Sequence, residues 1–185
     1  CFLLRVSVSS AQESVLNSIR NIKMRENVAA EAGTIKSLKD HYIDWVPPYF
    51  KNGDFAITLT FRDTYKQDPF LRNEDIGHYL RKVNCQFFGQ SFRKGRRRLN
   101  CAYVFELNGD RTAIHTHMIL ENPPVSRLSD STKIPLLLNS WMDMKHSGVY
   151  AANKIEVTYD SNGWVDYMFK RTTIWSDHMV GVDNW

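Results

Sequence analysis

The chain has 185 residues, of which 43% are hydrophobic, and a formal net charge of +4. This length and apolar fraction suffice for the core of one domain, and no apolar run approaches the roughly eighteen residues of a membrane span, so we expect no membrane partner. Its cysteines, Cys1, Cys85 and Cys101, form neither a disulfide framework nor a Cys-x-x-Cys site, which indicates a reducing compartment and predicts a cytoplasmic protein.

The N-terminal part of the chain is predicted to form a helical extension. Residues 10–46 are mostly polar, with apolar residues recurring at helical spacing. Pro47 and Pro48 separate this segment from the rest, because proline interrupts a helix. We therefore divide the chain into an N-terminal helical extension at 1–48 and a second domain at 49–185.

The second domain opens with a predicted strand and a predicted helix. The apolar run at 55–62 contains threonines and is typical of a strand. Asn73 is a candidate cap for a helix at 73–90, in which apolar residues recur on one side. We expect that side of the helix to cover the sheet.

A basic segment follows this helix. No acidic residue lies between Asp75 and Glu106, whereas the interval contains several arginines and lysines. Such a local cluster favours contact with a nucleic-acid backbone, and a solvated basic loop is the alternative. The clustered residues are Arg93, Lys94, Arg96, Arg97 and Arg98.

Two strand-like runs, at 101–107 and 112–120, predict a β-hairpin. His115 and His117 are two residues apart, so their side chains project from the same face of the sheet. Directly opposed residues of an antiparallel pair share a face, so a loop of even length places Glu106 on that face as well. A two-residue turn would leave Glu106 too far along, and we therefore predict a wider loop.

These three side chains are predicted to bind a divalent metal. Two imidazoles and one carboxylate suit Mn²⁺ or Mg²⁺ with coordination positions left open for water and substrate. A structural zinc site would use four ligands, preferably thiolates. The alternatives are a pair of surface histidines and a strand carboxylate, Glu106, that pairs with Arg111.

A helix at 132–146 and a strand at 154–159 follow the hairpin. The order of strands and helices predicts an α+β fold, with an antiparallel sheet of about five strands and helices packed on one face.

A last predicted helix carries Tyr167 and Lys170, and Ser161 or Asn162 is its candidate cap. Their spacing places a phenol and an ammonium one helical turn apart. A phenol is a poor nucleophile at neutral pH, and a neighbouring cation favours its anion. Together with the metal ligands, this pair suggests metal-assisted phosphoryl transfer with tyrosine as nucleophile. The alternative is an interfacial tyrosine beside a solvated lysine.

These motifs, in this order, resemble those of the HUH endonucleases, in particular the rolling-circle replication initiators of plasmids, filamentous phages and small single-stranded DNA viruses. That family has an apolar strand with threonines, a His-hydrophobic-His strand beside an acidic residue, and a helical Tyr-x-x-Lys. The resemblance covers roughly residues 50–175. Two departures are Thr116 between the histidines and Arg171 without a second tyrosine one turn beyond Tyr167, so the chain resembles the single-tyrosine branch.

The resemblance implies a ferredoxin- or RRM-like sheet and an HUH endonuclease domain at 49–185. It implies that Glu106, His115 and His117 hold one Mg²⁺ or Mn²⁺. Tyr167 would attack a DNA phosphate, leaving a 5′-phosphotyrosine and a free 3′-OH, and Lys170 would stabilise the phenolate.

The implied partner is single-stranded DNA at a replication origin, including a hairpin, with host helicase and polymerase as further partners. The implied location is the cytoplasm, or the host nucleus for a eukaryotic virus. A plasmid-mobilising relaxase and a single-tyrosine transposase remain alternatives with the same chemistry. A non-catalytic RRM-like nucleic-acid-binding module is the alternative of another class.

Overall fold

The chain divides into two compact units, Cys1–Ser37 and Leu38–Trp185. All the described residues belong to the second unit. Residues 1–37 of the predicted helical extension at 1–48 therefore lie outside the described part of the chain. The computed structural model describes residues 38–62, 69–107, 114–125, 128–170 and 180–183.

The described residues form five α-helices, five β-strands and two short 3-10 helices, Pro47–Tyr49 and Tyr150–Ala152. The helices are α1 Leu38–Trp45, α2 Pro69–Phe88, α3 Gln90–Arg93, α4 Asp130–Met142 and α5 Ser161–Met168. The strands are β1 Phe55–Thr60, β2 Cys101–Leu107, β3 Ile114–Leu120, β4 Lys154–Val157 and β5 Val180–Asp183.

The strands form one sheet in the order β4-β1-β3-β2-β5, and every neighbouring pair is antiparallel. The predicted α+β class with an antiparallel sheet of about five strands is therefore confirmed. β3, which carries the two histidines, lies at the centre of the sheet. No helix among the described residues is long and apolar enough to cross a membrane.

The long helices α2 and α4 cover one face of the sheet, as the sequence predicts. Alternate residues of β1, Phe55, Ile57 and Leu59, are fully buried on this face. Trp141 of α4 packs edge-on against the rings of Phe61 and Tyr79. The shorter helices α1 and α5 lie on the opposite face, and this is where the candidate site residues project.

Helix α4 ends at Met142, four residues before the predicted end, because tertiary contacts draw the chain away. His146 Nδ1 lies 3.0 Å from a carboxylate oxygen of Asp75 on α2. Ser147 then forms an isolated antiparallel bridge with Phe61, just beyond β1. Sequence periodicity could not reveal these contacts between distant segments.

Candidate active site

The pairing of β2 with β3 places Glu106 directly opposite His115. Leu107 pairs with Ile114, so six residues, 108–113, connect the strands. These six residues lie outside the described part of the chain, but their number confirms the wide, even-length loop. Because opposed residues share a face, Glu106 projects on the same side as the two histidines.

The three predicted ligands converge. The Nε2 atom of His117 lies 3.1 Å from Oε2 of Glu106, and the Nε2 atom of His115 lies 3.7 Å from the same oxygen. The two Nε2 atoms are 3.1 Å apart. Glu106, His115 and His117 thus form a group that could hold a metal ion, with one ligand atom from each within 4.8 Å of the others.

Thr58 of β1 supports His117 from the next strand. The two residues are opposed in the sheet, and Thr58 Oγ1 lies 3.1 Å from Nδ1 of His117. In the tautomer that donates its Nδ1–H to the hydroxyl, Nε2 keeps a lone pair directed at Glu106 and His115. Metal-binding histidines are commonly oriented by such a hydrogen bond, so the donor set fits a divalent cation.

The surroundings of His117 keep its ring neutral. Its pKa falls from the ordinary 6.5 to about 4, first because the ring is buried and second because His115 lies beside it, against an opposing effect of Glu106. A neutral imidazole is the form that binds metal. His117 is therefore ready to act as a ligand at neutral pH.

Helix α5 begins at Ser161, so its cap lies before both predicted caps. The prediction of Ser161 or Asn162 as cap was wrong, because Oδ1 of Asp160 accepts a hydrogen bond of 2.9 Å from the backbone N–H of Gly163. A Cβ atom at Gly163 would collide with the Asp160 carboxylate. Asp160 is therefore the cap of α5, and a side chain at 163 would require its carboxylate to move.

The ring of Tyr167 lies beside the candidate ligands. It stacks on Trp164 at 5.2 Å between centroids and meets the ring of His117 edge-on at 5.1 Å. Trp164 is itself fixed, because its Nε1–H donates to the carbonyl of Met118 on β3 at 2.9 Å. Tyr167 stays 42% exposed, so a ligand from solvent can reach it.

Lys170 connects the tyrosine to the candidate metal ligands. Its Nζ atom lies 3.6 Å from the centroid of the Tyr167 ring and 3.7 Å from Oε2 of Glu106. The ammonium thus sits over the face of the phenol ring and next to a ligand oxygen. Lys170 follows the last helical residue, Met168, in a turn at the end of α5.

The five basic residues predicted to bind DNA are exposed, but they lie away from this site. Arg93 ends α3 and the other four lie between α3 and β2, at the end of β2 opposite to Glu106. Cys101 and Glu106 are five positions apart on this strand, or about 17 Å. Two of them cover aromatic rings: Arg97 lies over Phe88 and Arg98 over Phe92. Their contact with nucleic acid stays a prediction.

Sequence reasoning assigned no site role to Thr58 or Trp164, the partners that hold the site residues in place. The threonine was part of the motif at 55–62, but its pairing with His117 depends on a register between distant strands. Trp164 lies one helical turn before Tyr167, and that spacing was its only signal.

Comparison of the chain with protein-family models, curated proteins and solved structures finds no match.

Proposed function

We propose that this chain is a metal-dependent endonuclease of the HUH type, which nicks single-stranded DNA at a specific site and thereby initiates rolling-circle replication. One observation supports this above all others. Three candidate metal ligands converge on one face of the sheet, and a solvent-accessible tyrosine ring lies 5.1 Å from the nearest ligand ring. Neither feature alone would favour this chemistry over a binding protein.

Mn²⁺ or Mg²⁺ is the proposed cofactor, held by Glu106, His115 and His117. A mixed set of one carboxylate and two imidazoles suits these cations, and three protein ligands leave room for substrate oxygens. When bound, the cation would polarise the scissile phosphate and offset charge on its oxygens. Thr58 orients His117 for this role through the contact at Nδ1.

Tyr167 is the proposed nucleophile. Its Oη forms a bond to the phosphorus while the bond from phosphorus to the 3′-oxygen breaks, so the downstream segment of the strand becomes linked to the tyrosine through its 5′-phosphate. The phenolic proton passes to solvent, and the departing 3′-oxygen takes up a proton to become a free 3′-OH. Trp164 restricts the phenol ring by stacking on it.

Lys170 is proposed to stabilise negative charge during this step. Its ammonium lies over the ring face, where a cation stabilises negative charge that develops on the ring. The same ammonium is close to Glu106, so it also balances charge next to the metal ligands.

The proposed partner is single-stranded DNA at a replication origin, including a hairpin. Arg93, Lys94 and Arg96–Arg98 would contact its backbone, which contributes affinity rather than sequence choice. A host polymerase would extend the free 3′-OH, and a host helicase is the further proposed partner. The proposed location is the cytoplasm, or the host nucleus if the replicon belongs to a eukaryotic virus.

Replacement of Tyr167 by Phe tests the proposal. We expect the full chain, incubated with Mn²⁺ and single-stranded oligonucleotides drawn from candidate origins, to form a covalent protein–DNA adduct on a denaturing gel. Tyr167→Phe should abolish the adduct and leave DNA binding largely intact, because only the attacking oxygen is lost. Tyr159→Phe is the matched control, since Tyr159 is 92% exposed at the start of α5, and it should form adduct normally.

Two outcomes would contradict the proposal. An adduct formed by the Tyr167→Phe protein would show that another residue attacks. Binding of single-stranded DNA without cleavage, with or without Mn²⁺, would favour a non-catalytic module. A relaxase or a transposase would share the adduct and differ only in the DNA that is cut.

A further inference from the structure

An exposed apolar segment lies at the edge of the sheet, next to the candidate site. Val149 is 70% exposed and Tyr150 is 61% exposed, in the short stretch that leads from α4 to β4. Large apolar side chains that are exposed together commonly mark a binding surface. We call residues 148–153 the edge segment.

The edge segment is held firmly against the last residue of β1. The backbone N–H of Gly148 donates to the carbonyl of Thr60 at 2.7 Å. Oδ1 of Asn153 accepts from the Thr60 backbone N–H at 2.7 Å and from its hydroxyl at 3.1 Å. A Cβ atom at Gly148 would collide with Thr60, so only glycine allows this close approach.

Thr60 connects the edge segment to the candidate metal ligands. It is directly opposite His115 in the pairing of β1 with β3, on the same face of the sheet. The edge segment therefore lies about two strand spacings, or roughly 10 Å, from His115. At this separation the edge segment is within reach of a nucleotide that adjoins a phosphate bound at the ligands.

An exposed cation accompanies the two apolar side chains. Arg62 Nε donates to the carbonyl of Ser147 at 3.1 Å, and the Arg62 backbone N–H donates to His146 at 3.1 Å. Among the described residues, no carboxylate forms an ion pair with Arg62. The rest of its guanidinium remains available for a phosphate.

We propose that the edge segment and Arg62 bind the nucleotide that flanks the scissile phosphate. The base stacks on the ring of Tyr150 with Val149 at its side, and Arg62 contacts the neighbouring phosphate. Stacking of this kind accepts any base, because every base has a π face. This inference rests on the proposed function, since it takes single-stranded DNA as the ligand.

Binding of a labelled, mixed-sequence single-stranded oligonucleotide tests the inference. We would measure fluorescence anisotropy with the full chain and a metal chelator, so that no cleavage occurs. Tyr150→Ala should weaken binding about tenfold, the effect expected for one lost base-stacking contact. Tyr150→Phe should bind like the wild type, because it keeps the ring. Tyr159→Ala, at the opposite end of β1, should also bind like the wild type.

Arg62→Gln adds a second readout. It should weaken binding and reduce the slope of log K against log salt by about one, as expected for one lost phosphate contact. A merely structural role would leave this slope unchanged.

The outcomes separate the two proposals. If Tyr150→Ala binds like the wild type, or if Tyr150→Phe is as weak as Tyr150→Ala, the stacking role is overturned while the nicking activity is unaffected. If the salt slope of Arg62→Gln is unchanged, the phosphate contact is overturned. If the wild-type chain does not bind single-stranded DNA at all, the inference and the proposed function both fail.

Discussion

The two faces of the sheet are built from the same strands but carry different kinds of side chain. On the face under α2 and α4, β3 contributes Ile114, Met118 and Leu120 to the larger apolar core. On the other face, the same strand contributes His115 and His117 to a cluster of polar and charged groups. The second face also has a smaller apolar cluster, which includes Ile119, Val165 and Met168. The comparison shows that the larger core lies on the first face, and that the second face, here called the polar face, also holds groups whose burial is unfavourable.

The largest expected effect belongs to the apolar face. Trp141→Ala should lower the free energy of unfolding by about 3–5 kcal/mol, because this fully buried ring packs against two others. The same change should leave Mn²⁺ affinity unaltered under conditions in which the protein stays folded. Chemical denaturation and titration calorimetry would check the two statements, and a parallel loss of metal affinity would contradict the division between the faces.

The next effect concerns the pH dependence of stability on the polar face. The folded pKa of His117 is about 4, below its ordinary 6.5. Between these values the unfolded chain binds a proton that the folded chain does not, so stability rises with pH, by up to about 1.4 kcal/mol per unit. The stability that depends on a neutral His117 is fully present above about pH 6.5, and it is lost as the pH falls from there through about 4.

Denaturation with a metal chelator across this range would measure the effect. His117→Gln should flatten the pH dependence, whereas His78→Gln, which removes an exposed histidine of α2, should not. Equal slopes for wild type and His117→Gln would show that this ring carries no such penalty.

The smallest effect concerns the ammonium of Lys170, which lies next to the candidate metal ligands. Lys170→Met should tighten Mn²⁺ binding about fivefold, because it removes a positive charge located 3.7 Å from a ligand oxygen. Lys154→Met is the matched control, since Lys154 projects on the same face but pairs with Glu156. Calorimetric titration would measure both variants. Unchanged or weaker binding by Lys170→Met would show that the ammonium does not oppose the metal.

The sequence predicted the parts of the site that depend on local alternation. The period of two residues in a strand was enough to place His115, His117 and Glu106 on one face, and the parity of the hairpin loop was enough to make Glu106 a neighbour. The bounds of β2 were also correct, because apolar residues fill it and turn residues follow it.

The features that the sequence did not predict depend on contacts between distant segments or on the position of a single atom. The partner of His117, Thr58, lies 59 residues away, and only the register of β1 with β3 brings them together. The cap of α5 depends on which of several acceptors reaches Gly163. β5 was not predicted, because its four residues gain their strand conformation by pairing with β2.

The central position of β3 has a consequence for how the site behaves over time. β3 is paired on both sides, so its amide hydrogens should exchange among the slowest in the described part of the chain. Helix α5, which carries Tyr167, packs over the same part of the sheet, since its buried residues Val165 and Met168 contact the cluster that includes Ile119 of β3. We therefore expect the candidate ligands on β3 to keep their relative positions when less protected parts of the described chain open.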